Sequence, residues 1–231
     1  MSRDGKRYKA AVAKYDREER FSGSEAIALV KDMASARFDE TIDLVICLGV
    51  DPRKSEEMIR STVTLPSGTG KSRRVAVFAQ GEAASAAREA GADYVGADDL
   101  AAEVEGGMLD FEVAISTPEM MPTVGKLGRS LGPRGLMPNP KSGTVTDDVA
   151  KAVEDFKGGK VEFRTDRNAN VHMPLGKVSF ELEALLANLQ AAIEEIEKLK
   201  PSSSKGRYFN KVTLSSTMGP GIHVDPNRLI E

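Results

Sequence analysis

The residues best suited to chemistry fall in short groups, and most of them fail on spacing. Gly68–Ser72 reads GTGKS, the end of a phosphate-binding loop of the type G-x-x-x-x-G-K-[ST]. That loop needs a glycine at 65, where Leu65 stands, and a helix whose amino end receives the phosphate. Here a strand-like run, RRVAVFA, follows instead. His172 and His223 are the only histidines and lie far apart, with no H-x-x-x-H spacing for a metal. Cys47 is the only cysteine and stands between Ile46 and Leu48, the setting of a buried, inert thiol. No G-x-S-x-G nucleophile turn occurs. Glu194, Glu195 and Glu197, like Asp98 and Asp99, sit in helical patterns as solvated faces or caps. These patterns point to a protein that is not an enzyme and needs no metal or cofactor. The rival reading is a nucleotide- or cofactor-binding α/β enzyme centred on residues 71–157.

A different chemistry is offered by Met120–Gly143, MMPTVGKLGRSLGPRGLMPNPKSG. It has no acidic residue, against Lys126, Arg129, Arg134 and Lys141, and it is dense in glycine and proline. It reads as a long loop, either a structural wrap on a core or a basic surface for an anionic polymer.

The elements that must position these groups follow from periodicity. Ile27, Val30, Met33 and Ala34 predict an amphipathic helix from Ser24 to near Phe38, capped by Ser22 or Ser24. Thr41–Val50 alternates as a strand with Ile42, Leu44, Ile46 and Leu48 on one face. A short helix around Ser55–Arg60 and a strand at Thr62–Leu65 come next. Beyond Gly70 the rhythm changes to RRVAVFA (strand), GEAASAAREAGA (helix), DYVG (strand), DDLAAEVEGG (helix), FEVAIS (strand) and VAKAVEDFKGG, a helix capped at Thr146-Asp-Asp. Strands alternating with helices predict a parallel, three-layer α/β domain. After Gly158-Gly159, KVEFRTDRNANVH reads as a hairpin with its turn at Asp166 to Asn170. Val178, Leu182, Leu185, Leu186, Leu189, Ile193 and Ile196 then share one face of a long helix ended by Pro201. YFNKVTLSST is a strand, and MGPGI leads into a short last one.

The two ends are thus α+β and the middle is α/β. The expected fold is two domains: a discontinuous α+β domain from 1–67 and 160–231, and an inserted α/β domain from 68–159. Gly68, Gly70, Gly158 and Gly159 are the expected hinge, because glycine widens the φ/ψ choice at both crossings. The composition, with 40% hydrophobic and 29% charged residues in 231, is that of a globular chain able to bury such cores. No apolar run reaches bilayer length and the first twenty residues are polar, which predicts a cytoplasmic protein away from membranes. The net charge of −3 is uneven: residues 68–159 carry 10 basic and 14 acidic side chains, whereas the two ends together carry 22 and 21. Charge permits a nucleic-acid partner without pointing to one.

Four segments in order, LPSGTGK, GRSLGPRGLMPNPKSGTV, KVEFRTDRNANVH and TLSSTMGPGI, resemble the bacterial ribosomal protein L-one family over essentially the whole chain. That resemblance implies an RNA-binding α+β domain with an α/β domain inserted through a hinge, in the mobile stalk beside the tRNA exit site. The implied partners are large-subunit (23S) ribosomal RNA, the leader of the protein's own messenger, which it would repress, and deacylated tRNA leaving the exit site. A monomer when free is also implied. The implied RNA contacts are Phe38, Thr41, Arg164, Asp166, His172, Thr217, Met218 and Gly219. With few aromatics (5%, no Trp), such a surface is expected to read RNA by shape and 2′-hydroxyls rather than by stacking. An atypically acidic pI of 5.6 further implies that Glu194, Glu195 and Glu197 face away from the RNA.

Overall fold

The computed structural model describes residues 5–54, 56–204 and 206–229. The chain opens with α1 (Lys6–Val12) and α2 (Gly23–Met33), then β1 (Thr41–Leu48) and β2 (Arg60–Thr64). The α/β stretch follows as β3 (Val75–Phe78), α3 (Gly81–Glu89), β4 (Tyr94–Gly96), α4 (Asp98–Glu105), β5 (Val113–Ser116), α5 (Met121–Lys126), α6 (Gly128–Leu131) and α7 (Val149–Gly158). The chain closes with β6 (Lys160–Arg164), β7 (Asn170–Lys177), α8 (Leu182–Lys198), β8 (Phe209–Ser216) and β9 (Gly221–Val224). Helices and strands are mixed as the α+β and α/β patterns require. Two compact units result: Met1–Gly70 with Val161–Glu231, and Lys71–Lys160.

In the first unit, β7-β1-β8-β9 form an antiparallel sheet, and β2 pairs with β6 in a separate two-stranded sheet. Alternation makes one face of the larger sheet apolar apart from the buried Ser216 at the end of β8. Ile42, Leu44, Ile46 and Leu48 of β1 join Val171, Met173 and Leu175 of β7 and Val212 and Leu214 of β8. Helices α2 and α8 bury their apolar stripes in the same core through Ala26, Ile27, Val30, Leu185, Leu189 and Ile193. Ser22 caps α2 with a reciprocal capping box to Glu25, worth about 1 kcal/mol.

In the second unit, β4-β3-β5 are parallel. Val75, Val77, Val113 and Ile115 face α3 and α7 in one core. Ala76, Phe78 and Ala114 face α4, α5 and α6 in another, so the parallel sheet is covered on both sides.

Several expectations need correction. Helix α2 stops at Met33 rather than Phe38, because Ala34 is extended and the next two backbone N–H groups donate to the Glu40 carboxylate instead of continuing the helix. No helix forms over 56–60: the Asp51 and Glu57 side chains bind nearby backbone N–H groups and Lys54 and Glu57 close tight turns, while Ser55 lies outside the described residues. Strand β2 starts at Arg60, two residues before the expected Thr62. The β6–β7 segment is not a hairpin ladder. The arms turn back at Asp166–Asn170 and meet at the Thr165–Val171 bridge and an Asp166 N–H to Asn170 carbonyl bond of 2.8 Å, but beyond that β6 pairs with β2 and β7 with β1. Val178 precedes α8 and donates its N–H to the Glu40 carbonyl at 2.9 Å. Met120–Gly143 is not one long loop, for Met120, Val124, Leu127 and Leu131 recur at helical spacing and bury against the parallel sheet. Missed altogether was α1.

Candidate nucleic-acid interface

The residues singled out from sequence fall into two groups on the first unit. At one corner, β1 begins beside the end of β8. The Thr217 hydroxyl accepts from the Thr41 N–H at 3.0 Å and approaches the Thr41 carbonyl at 3.3 Å, while the Thr217 N–H donates to that carbonyl at 3.0 Å. Lys177, paired with Thr41 from β7, donates to its hydroxyl and to the Asp39 carbonyl, each at 3.1 Å. Phe38 and Met218 stand beside this corner with 55% and 65% of their surfaces in solvent, unusual exposure for large apolar side chains.

What holds them there is Glu40, only 2% exposed. Its carboxylate accepts from the N–H groups of Ser35 (3.0 Å), Ala36 (2.8 Å) and Met218 (3.0 Å). Burial pushes its pKa up, but the donated hydrogen bonds outweigh burial and hold it below the ordinary carboxylate value. Glu40 therefore ties the Phe38 loop to the Met218 loop. Sequence reasoning passed over it, since nothing local distinguishes this glutamate from a surface one. A Cβ on Gly219 would meet the Ser216 hydroxyl at 2.5 Å, so the glycine leaves room for that side chain.

The second group lies at the β6–β7 turn. Asp166 accepts from the N–H groups of Asn168 and Asn170 at 2.8 Å and from the Asn170 amide at 3.2 Å, with His172 Nε2 at 3.4 Å. Backbone donation from Asn170 leads the causes that lower its pKa to about 2. The turn places Ala169 at a φ of 60°, a left-handed conformation that this tight Asx geometry sustains. Arg164 is exposed at the end of β6. The groups are not adjacent: His172 pairs with Val45 and Lys177 with Thr41, five residues along β7, or about 16 Å.

Between them runs the sheet face opposite the core. Paired across it are His172, Val45, Thr213 and His223 in one row and Pro174, Asp43, Ser215 and Gly221 in the next. This face presents hydroxyls and imidazoles, with Asp43 its one carboxylate among the strand residues of these rows. Glu194 and Glu197 are exposed on α8, which packs on the core side of that sheet, so these acids lie on the far side from the open face. Glu195 is half-buried and within 3.6 Å of Lys198.

Of the four crossing glycines, Gly68, Gly70 and Gly159 have φ of 68°, 69° and 117°. Gly158 is an ordinary last residue of α7. A Cβ on Gly70 would meet Lys177 Cγ at 2.7 Å and the Phe180 ring at 3.0 Å. Asn188, fully buried on α8, receives the Ser67 N–H at 3.0 Å and donates to the Gly68 carbonyl at 3.0 Å and the Leu175 carbonyl at 2.6 Å. No helix follows GTGKS; the next element is β3. Among the described residues no group of three or more His, Cys, Asp or Glu could hold a metal, and no helix is long and apolar enough to cross a membrane.

The first unit presents an open, polar sheet face flanked by exposed apolar side chains, the kind of surface on which a binding or scaffold protein seats a polar partner. The profile of the Ribosomal protein L1p/L10e family matches residues 30–220. The chain is 62% identical over 221 residues to the large ribosomal subunit protein uL1 of Cutibacterium acnes, covering 96% of this chain and 95% of that one. It is 59% identical to the protein of the same name from a Nocardioides species, covering 96% and 93%. For the Bifidobacterium longum protein the identity is 55%, covering 99% and 100%. The chain belongs to the ribosomal protein L1 family. It is a structural ribosomal protein rather than an enzyme, and it works in the cytoplasm, where ribosomes do.

Proposed function

We propose that the open face of the first unit, from the Thr41–Thr217 corner to the Asp166 turn, binds 23S ribosomal RNA of the large subunit. The observation that carries this reading is the Glu40 clamp. It holds Phe38 and Met218 in solvent beside a corner whose hydroxyls and backbone groups suit ribose, in a chain of this family. Apolar edges of Phe38 and Met218 would cover sugar and base surface, and Thr217 keeps a lone pair to accept from a 2′-hydroxyl. The open face carries no aromatic platform in its paired rows, which favours reading by shape.

On this reading the first unit anchors to the RNA of the ribosomal stalk and the second swings on the glycine crossings. The left-handed glycines at 68, 70 and 159 lie within two residues of the boundaries between the units, which supports a hinge there. Lys126, Arg129, Arg134 and Lys141 are all exposed on the second unit, which supports a contact with tRNA leaving the exit site. Repression of the protein's own messenger would use the same surface as the ribosomal RNA, with the ribosomal site binding more tightly.

The test is the salt dependence of binding to a stalk fragment of large-subunit RNA. A sugar-reading surface with few cations should bind with a shallow slope of log affinity against log salt. A slope typical of about ten phosphate contacts, or no binding at all, would refute the reading.

A further inference from the structure

The segment between α1 and α2 runs along the β8–β9 edge and borders a half-open cavity of about 330 Å³. The polar part of its wall is Arg17, Glu18, Arg20, Asn210, Lys211 and His223. Three cations, an amide and an imidazole thus face a single carboxylate. Among the described residues none of the three cations forms an ion pair with a carboxylate. Arg17 donates to the Tyr8 hydroxyl at 2.8 Å and lies 5.9 Å from that ring's centre, which fixes its position without neutralising it. The Tyr15 hydroxyl donates to the Gly221 carbonyl at 3.1 Å, and the Phe21 N–H donates to the His223 carbonyl at 3.0 Å, so both ends of the segment are pinned to β9.

Three cations gathered at one cleft raise the local positive potential. His223 registers it: burial, then the charges of Lys211, Arg20 and Arg17, lower its pKa, with only Glu18 among the larger influences acting the other way. A bound anion would interact favourably with all of these groups together. The cavity also continues the open face, because His223 closes the row that runs through Thr213 and Val45 to His172, and its Nδ1 lies 3.3 Å from the Thr213 hydroxyl.

We infer that this cavity is a phosphate subsite of the RNA surface, seating one backbone phosphodiester between Arg20 and Lys211, with Arg17, His223 and Asn210 as further donors. The inference rests on the RNA reading above and adds a contact that reading does not contain. Lys211 lies six residues before Thr217 along an extended strand, about 20 Å away, so the phosphate belongs to a nucleotide other than the one at the Thr41–Thr217 corner. The corner reads ribose; the cavity holds charge and sets the orientation of the RNA along the sheet.

The experiment compares the full chain with R20Q/K211Q, both exposed positions, in binding to a stalk fragment of large-subunit RNA across a salt series, with thermal unfolding confirming the fold. The double variant should bind roughly tenfold more weakly at low salt, and its log–log salt slope should be shallower by about one. The T217A variant should lose affinity without any change of slope, since it removes no charge. In the wild type the His223 ring resonances should shift on adding the RNA. Wild-type binding with unchanged affinity or unchanged slope in R20Q/K211Q overturns the subsite alone. A wild type that does not bind the fragment overturns the RNA reading and the subsite with it.

Discussion

Thr217 and Thr41 form a reciprocal pair across 176 residues of sequence: the N–H of Thr41 donates to the Thr217 hydroxyl, and the N–H of Thr217 donates to the Thr41 carbonyl. The two ends of the chain are thereby stitched at the corner where Phe38 and Met218 emerge. The hydroxyl is both a structural link and a group at the surface.

Removing that hydroxyl should therefore be felt twice. Thr217→Ala is expected to weaken binding to a stalk RNA fragment by about 1–2 kcal/mol, because a hydrogen bond in a dry contact is lost. Stability should fall by about 1 kcal/mol, since the Thr41 N–H loses its acceptor while the backbone bond from residue 217 remains. Titration of the RNA and chemical denaturation measure the two effects separately. Unchanged RNA affinity with an intact fold would remove Thr217 from the interface.

Glu40 should matter more than any residue named from sequence. Glu40→Ala leaves three backbone N–H groups without their acceptor and is expected to cost about 2–4 kcal/mol of stability. RNA affinity should fall as well, because the Phe38 and Met218 loops are no longer tied together. Glu40→Gln keeps one acceptor oxygen and should recover part of both losses. Equal stability of Glu40→Ala and wild type in urea would contradict the clamp.

Acid should loosen the first unit through two carboxylates. Glu40 has a folded pKa below its ordinary value of 4.5, and Asp166 is lowered from 3.8 to about 2. Groups lowered in the folded state stabilise it above their unfolded values, and that contribution is lost as pH falls through the folded ones. Stability should therefore decline from about pH 5 down to about pH 2. Asp166→Asn should flatten the lower part of that decline. An identical acid profile in Asp166→Asn would show that the Asn168 and Asn170 N–H groups do not favour the ionised form.

A chain joining residues 1–70 to 161–231 through a short linker should fold and retain most RNA affinity. Its core, from Ile27 and Leu44 to Leu185 and Leu214, is drawn entirely from these two stretches. Circular dichroism and RNA titration check this. An unfolded product would mean that the first unit depends on the α/β insertion.

Much of this protein was legible in its residue order. The alternation of Ile42, Leu44, Ile46 and Leu48, the spacing of Leu185, Leu189, Ile193 and Ile196, and the strand–helix rhythm after Gly70 are local repeats set by backbone geometry. The long motifs that mark the family are likewise readable without coordinates. Tertiary structure alone decided which strands meet. KVEFRTDRNANVH has the composition of a hairpin, yet β6 turns to β2 and β7 to β1, because pairing depends on which edges the rest of the core leaves open. It alone turned Glu40 from one acid among 35 into the tie between two loops, through a bond to Met218 across 178 residues. Periodicity reports on neighbours a few residues apart, whereas a hydrogen bond between distant chain segments leaves no trace in the local pattern of either.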